Sequence, residues 1–283
     1  MDHVLHSIAR CLLPHPDFQK QILCRVNHLN GTFQVRREFA RHGLEDPWEY
    51  DEHWYWCYCP LEIADHDGDI ETGSQELLHS LWKVIHRAIQ TVSNSSHPTA
   101  DLCLEQLFKV RYALKSQLSK ATAAHAGECS GFGEKNVADV LKEALDTVDK
   151  AIQDSYLVWS IPHVLDPRYK LRSIKDNFEG AFGSEDAKCY TSGVTRKLKE
   201  LYTNYIENGN DMVEELKELD YYLQDSPARQ IKDGDILNWW KLHGSFQYPT
   251  VARMARDALA MPTCSKLTSD QIAHVRSMLR GYW

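Results

Sequence analysis

The chain has 283 residues, of which 43% are apolar and 25% charged; this permits a sizeable core, but no apolar run approaches the roughly 20 residues of a membrane span. The net charge of −8 leaves only short basic stretches, so we expect this chain alone to bind nucleic acid poorly. The eight cysteines are scattered and the first residues lack a secretory signal, so we expect reduced thiols in a protein that is neither secreted nor embedded in a membrane.

Residues 1–75 are predicted to be an irregular N-terminal segment. Prolines and glycines divide it into short pieces, and the apolar spacing favours brief helices near 4–12, 17–29 and 33–41. The acidic, glycine-containing stretch 64–75 is typical of a loop.

One cluster in this segment has the residue types of a metal site. The stretch HWYWCYCPLEIADH contains His53, Cys57, Cys59 and His66, and a zinc site needs four such ligands within tetrahedral reach. The Cys-x-Cys spacing is shorter than usual, and no second cysteine pair follows it. An aromatic-rich packing corner is therefore favoured over a zinc site, and we predict no metal and no other cofactor.

A helical region is predicted from 76 to 160. Apolar residues recur at three- and four-residue steps, which indicates amphipathic helices. The predicted elements are a first helix over 76–92, a second over 100–119, a mobile linker over 119–136 and a long helix over 137–158. The linker is predicted because its small, polar, glycine-containing sequence offers little apolar surface to bury.

The stretch SIPHVLDPRYKL at 160–171 forms the next junction. Asp166 precedes Pro167, so the sequence predicts that Asp166 caps a new helix with Pro167 in its first position. A catalytic carboxylate beside Arg168 is the alternative, and the cap explains the pattern with fewer assumptions.

Further helices are predicted in the C-terminal third of the chain. They lie near 185–206, 211–223 and 235–243, the last capped by Asp235, and then between Pro249 and Pro262. In the last of these, apolar residues follow the helical template without a miss. No stretch shows convincing strand alternation, so the predicted fold class is mainly α with little or no sheet.

The order of these segments resembles the C-terminal half of hAT-superfamily transposases and of the plant proteins domesticated from them. HPTADLCLEQLFKVRYAL (97–114) is similar to the family's PTAN segment, and SIPHVLDPRYKLRSI (160–174) is similar to its LDPRYKL block. ELDYYLQD (218–225) and DILNWWKLHGSFQYPTVARMARDALAMPT (235–263) resemble its dimerisation region, with a WW pair and a YP-x-L-x-x-MARD pattern.

The matched blocks together span about 97–268, and residues 1–75 match little. The resemblance implies a helical remnant of a transposase with an RNase H-like fold. In this remnant, 76–160 is the insertion-type region, and 161–283 combines the LDPRYKL block with the dimerisation region.

Two adjacent tryptophans, Trp239 and Trp240, stand in the dimerisation region. Neighbouring residues on a helix point about 100° apart, so both rings can be buried only where two surfaces meet. In the family this segment packs on its own chain and also meets a second subunit, which implies a homodimer or a heterodimer with a related transposase-like protein. The alternative is that both rings fill one corner of the chain's own core. The candidate interface residues are Leu219, Tyr222, Leu223, Ile236, Trp239, Trp240, Tyr248, Val251, Met254 and Leu259.

The catalytic residues of the family are not matched. In the family, a glutamate after the MARD helix completes a carboxylate triad that holds two divalent metals. Here Ser269 stands at that position without a gap, and Asp270 with one inserted residue. The strands that carry the two earlier aspartates and the family's zinc finger have no predicted counterpart in this chain. We therefore predict no enzymatic activity.

The favoured hypothesis is a catalytically inactive, transposase-derived protein that acts through dimerisation. The alternatives are a decayed or fragmentary transposase product without a selected role, and a metal-dependent nuclease. The resemblance implies a nuclear location, and otherwise a cytoplasmic one. DNA binding is implied by the resemblance to the family, whereas the net charge of this chain does not favour it.

Overall fold

The computed structural model describes residues 1–12, 74–93, 99–124, 136–206, 212–228, 231 and 236–263. The regular structure in these ranges is helical without a strand, which confirms the predicted mainly α fold class. The α-helices are α1 (Asp2–Leu12), α2 (Ser74–Ser93), α3 (Cys103–Ala124), α4 (Val137–Val164), α5 (Lys170–Phe182), α6 (Ser184–Thr203), α7 (Met212–Gln224), α8 (Ile236–Trp239), α9 (Ser245–Gln247) and α10 (Pro249–Leu259). A 3₁₀ turn, Ala100–Leu102, precedes α3, and a π-helical turn, Trp240–Gly244, joins α8 to α9.

Two helices run further than the sequence predicts. Helix α3 continues to Ala124, so residues 119–124 of the predicted linker are helical, and Thr122 donates to the Leu118 carbonyl within it. Helix α4 continues past 158 to Val164 and includes Pro162.

Several predictions fall outside the described residues. They are the helices near 17–29 and 33–41, the cluster of His53, Cys57, Cys59 and His66, the linker residues 125–135, the cap Asp235, and Ser269 and Asp270. None of the described helices combines the length and apolar character that a membrane span requires.

The chain divides into two compact units, and the first consists of Val4–Ile89 and Lys109–Asp149. Its core is made by the apolar faces of α1, α2, the later part of α3 and the first half of α4. The fully buried residues include Leu5, Ile8, Leu12, Leu81, Ile85, Leu114, Leu141, Ala144 and Val148. Hydrogen bonds reinforce this packing: Gln117 of α3 donates to Ser80 of α2 at 2.7 Å.

The second unit consists of Met1–His3, Gln90–Phe108 and Lys150–Trp283. Phe178 of α5 lies at the centre of an aromatic cluster, with its ring 5.1 Å from Phe108 and 4.3 Å from Tyr190. Helices α5 and α6 meet at Gly183, whose φ of 95° is a left-handed conformation that favours glycine. Its N–H bonds back to the Glu179 carbonyl, and its own carbonyl accepts from Ala187, so one residue ends α5 and begins α6.

Helix α10 lies close to α7 and α6 in this unit. Pro249 occupies the start of α10, as predicted, and the Glu218 carboxylate of α7 accepts the Val251 N–H at 2.8 Å. The first N–H groups of a helix lack partners inside it, so Glu218 stabilises the start of α10 from a neighbouring helix.

Candidate functional site

The turn at 164–170 joins α4 to α5. The Asp166 carboxylate accepts the Arg168 N–H at 2.9 Å, and the Asp166 carbonyl accepts the Tyr169 N–H at 3.1 Å. The predicted cap is therefore right in its bond and wrong in its helix: Asp166 accepts the N–H two residues on, as a cap does, but residues 167–169 form a turn and α5 begins only at Lys170. The same carboxylate also accepts hydrogen bonds from the Arg168 guanidinium.

Lys170 anchors this turn to the end of α7. Its φ of 53° lies in the left-handed region, which costs a non-glycine residue free energy and persists only where surrounding contacts hold it. Those contacts come from Nζ, which donates to the carbonyls of Tyr222 at 3.1 Å and Asp225 at 3.2 Å. The same ammonium lies 4.6 Å from the centre of the Tyr222 ring. Burial lowers the pKa of Lys170, and the attraction of Asp225 opposes that shift.

Donors from the C-terminal segment bind three carbonyls of the 164–170 turn. Tyr222 Oη donates to Val164 at 2.9 Å, and Trp240 Nε1 donates to Leu165 at 3.0 Å. The backbone N–H of Ala228 donates to the Pro167 carbonyl at 2.8 Å. The last carbonyls of a helix have no partner inside it, so Tyr222 and Trp240 complete the end of α4, and the three donors together fix the C-terminal segment on the turn.

The two tryptophans have different environments. Trp240 is fully buried, with its ring 5.4 Å from Tyr222, whereas Trp239 is partly exposed and stands perpendicular to Trp240 at 5.1 Å. Gly244 makes this packing possible, since a Cβ there would lie 2.2 Å from the Trp240 ring. The π-helical turn therefore carries a glycine because the backbone touches an aromatic face, and its φ of −62° is ordinary.

Two buried carboxylates share one guanidinium at this junction. Arg168 Nη2 lies 2.8 Å from Asp166 Oδ2 and 3.5 Å from Asp101 Oδ2. Burial lowers the pKa of Arg168, but its hydrogen bonds to Asp166 and the attraction of Asp166 and its other negative neighbours together outweigh burial and raise the pKa. Burial raises the pKa of Asp101 to about 8, and the negative charge of Asp166 adds to the increase.

His163 completes the polar part of the junction. Its Nδ1 lies 2.8 Å from the Asp101 carbonyl and its Nε2 lies 3.0 Å from Ser173 Oγ. A carbonyl only accepts, so Nδ1 carries a proton; burial lowers the pKa of the ring and favours its neutral form. The side chains of His163, Asp101 and Asp166 are all buried, so this cluster has the character of a structural junction. Within the described ranges, no group of three or more His, Cys, Asp or Glu residues is placed to hold a metal ion.

The predicted interface residues lie mostly inside the chain. Trp239 and Leu223 are partly exposed, and the other eight are buried in the chain's own core, namely Leu219, Tyr222, Ile236, Trp240, Tyr248, Val251, Met254 and Leu259. The sequence prediction overlooked Asp101, His163 and Lys170. Asp101 in HPTADLCL and Lys170 in LDPRYKL are charged residues with apolar neighbours in the sequence. Charged side chains among apolar residues are a signal that they could be buried and paired.

An exposed apolar face lies on the outer side of the same segment. We define it by Trp239, Leu242 and Phe246, with Leu242 54% exposed and Phe246 85% exposed. Leu242 and Phe246 are four residues apart in continuous helical structure, so they lie on one side of it. The inner side of this segment therefore packs on the chain's own core, and the outer side presents large apolar side chains.

Two family models match the chain. One is described as hAT-like transposase, RNase-H fold, and matches residues 75–205; the other is described as the hAT family C-terminal dimerisation region and matches residues 218–275. Together they cover well over half of the chain.

Curated plant proteins are similar to the same region. Zinc finger BED domain-containing protein RICESLEEPER 2 of Oryza sativa subsp. japonica is 28% identical over 224 residues, which is 64% of this chain and 29% of that protein. Zinc finger BED domain-containing protein DAYSLEEPER of Arabidopsis thaliana is 29% identical over 231 residues, which is 71% of this chain and 31% of that protein. The chain therefore spans less than a third of the length of these relatives. No solved structure matches the chain.

Proposed function

Because the chain belongs to the hAT family of transposase-derived proteins, we propose that it acts by forming a dimer through its C-terminal region and does not itself cleave or join DNA. The observation that carries this proposal is the exposed apolar face. It lies within residues 218–275, the stretch that matches the family's dimerisation region. Large apolar side chains that remain in contact with water are typical of a surface that another protein covers.

The proposed partner is a second copy of this chain. A twofold dimer buries the same surface on both subunits, and a self-complementary apolar patch suits that arrangement. Phe246 and Leu242 would be the main contacts, since binding energy concentrates in a few large, well-desolvated side chains. The buried Trp240, Tyr222 and Tyr248 would support this face from beneath, because they hold the helical turn in place.

Phe246→Ala should weaken the dimer by about 30-fold in Kd, equivalent to about 2 kcal/mol. The side chain is exposed in the single chain, so its removal should leave the helical content unchanged. Sedimentation at a series of concentrations measures the Kd, and circular dichroism of the same samples measures the fold.

Val158→Ala is the matched control, because Val158 is also an exposed apolar residue, 49% exposed, on α4 outside the dimerisation region. It should leave the Kd unchanged. A wild-type chain that stays monomeric at high micromolar concentration would contradict the dimer, and equal weakening by Val158→Ala would contradict its location.

The proposed lack of catalysis depends on the residues after α10. Ser269 stands where the family has glutamate, and Asp270 is the only carboxylate beside it, whereas two-metal phosphoryl transfer needs several carboxylates around the metals. We expect no cleavage or strand transfer of plasmid DNA by the chain with Mg²⁺ or Mn²⁺. Metal-dependent cleavage that disappears in Asp270→Ala would overturn this expectation.

We also propose a nuclear location, on the ground that the curated relatives bear zinc finger names. The net charge of −8 supports the further proposal that this chain contributes little DNA affinity itself.

A further inference from the structure

The two buried carboxylates next to Arg168, those of Asp101 and Asp166, differ in how many hydrogen bonds they accept. The Arg168 side chain donates to both oxygens of Asp166, at 2.8 to 3.1 Å, and the Arg168 N–H adds a further bond. Asp101 lies 3.5 Å from the same guanidinium, and neither of its side-chain oxygens has a hydrogen-bond partner. The hydrogen bonds of the guanidinium to these two carboxylates therefore all go to Asp166, and Asp101 is buried beside it at ion-pair distance only.

A buried carboxylate without donors is costly in its ionised form and much less costly when it holds a proton. The backbone N–H of Asp101 and the charge of Arg168 favour the ionised form, but they do not offset that cost. The titratable and charged groups that face it or its neighbours are Cys103 and Glu105 on α3, His163 on α4, Asp166, Arg168 and Tyr169 in the turn, Tyr222 on α7 and the amino terminus of Met1. Arg168 is bound to Asp166, and His163 is favoured in its neutral form.

We propose that Asp101 holds a proton in the folded chain at neutral pH, so that the junction between the start of α3 and the 164–170 turn takes up one proton on folding. The unfolded chain releases this proton, because an exposed aspartate ionises near pH 4. The raised pKa of Asp101, about 8, agrees with the geometry.

The pKa of Asp101 is higher in the folded chain than in the unfolded chain, and this difference determines how stability changes with pH. The folded state binds one more proton than the unfolded state between the two pKa values, so stability falls as pH rises through that window. The contribution is fully present below about pH 4 and lost above about pH 8. His163 acts in the opposite direction: because burial lowers its pKa, stability increases as pH rises towards the ordinary pKa of histidine and no longer changes above it.

The first test compares urea unfolding of the wild-type chain and Asp101→Asn between pH 5 and pH 7. The unfolding equilibrium constant of the wild type, relative to the variant, should increase by up to about tenfold per pH unit. The effect of His163 is present in both chains and cancels in the comparison. Asp154→Asn, a change at an exposed carboxylate on the same unit, should keep the wild-type slope. Parallel profiles for the wild type and Asp101→Asn would overturn the proposal.

The second test needs no variant and decides the matter if Asp101→Asn does not fold. NMR of the wild-type chain with isotope-labelled aspartate follows the Asp101 carboxyl resonance, assigned through the backbone, as pH increases. A titration midpoint several pH units above that of exposed aspartates supports the proposal, and a midpoint near pH 4 overturns it.

Discussion

Trp240→Ala should lower the free energy of unfolding of the chain by about 3–5 kcal/mol. The ring is fully buried among Tyr222 and Trp239, so its loss leaves a large cavity. It also leaves the Leu165 carbonyl without its donor at the end of α4. Urea unfolding followed by circular dichroism measures the change.

The neighbouring tryptophan provides the control. Trp239 is partly exposed, so Trp239→Ala should cost only about 1 kcal/mol of folding free energy. The loss in Trp240→Ala should also be independent of protein concentration, because the ring contacts its own chain. Equal losses in the two variants, or a loss in Trp240→Ala that disappears at high concentration, would show that this ring is not part of the single chain's core.

Arg168→Met should lower the free energy of unfolding by about 3–5 kcal/mol at neutral pH, since it removes the cation from a buried ion pair. Asp166 is fully buried and receives its bonds from the Arg168 side chain and N–H. Without the guanidinium, Asp166 would also need a proton to stay buried, as we propose that Asp101 does already. The loss should therefore shrink as pH falls, and urea unfolding at pH 5 and pH 7 measures that difference.

Arg172→Met is the matched control for this change. Arg172 lies on α5 with its side chain 74% exposed, and its pairing with Asp176 across one helical turn spans 3.8 Å in water. Exposed pairs of this kind contribute about 0–1 kcal/mol. A loss in Arg168→Met no larger than that in Arg172→Met, or one that does not change with pH, would contradict the buried ion pair.

The helices were predictable because each depends on a local pattern. Helix α10 shows this clearly: Pro249 fits the first helical position, and its apolar residues recur at helical spacing, so the predicted helix agrees with the observed Pro249–Leu259. Helix α3 runs beyond its predicted end at 119 because alanine and lysine, which favour helix, make up most of residues 119–124, and the Ser119 and Thr122 hydroxyls donate to carbonyls one turn back, although the stretch resembles a linker in composition.

The junction was less predictable because its contacts join distant parts of the chain. Asp166-Pro167 fits a helix cap locally, but the Arg168 side chain and the fixed position of Lys170 produce a turn instead. The π-helical turn at Trp240–Gly244 has no local signal, since it depends on a glycine backbone packing against an indole ring. The sequence favoured an arrangement in which Trp239 and Trp240 pack on the chain itself and on a second subunit. In the structure, Trp240 is buried in the chain's own core.

The bonds that complete the end of α4 determine an order of events during synthesis. Tyr222 lies 58 residues after the carbonyl it binds, and Trp240 lies 75 residues after its own. At ribosomal speeds of about 5–20 residues per second, the 75-residue interval takes roughly 4–15 seconds. During that interval the Leu165 carbonyl can bind only water or temporary partners on the growing chain, and the same holds for the Val164 carbonyl until Tyr222 is made. A segment made later thus completes a helix begun long before it, and a ribosome that stops before Trp240 releases a chain whose α4 lacks this bond.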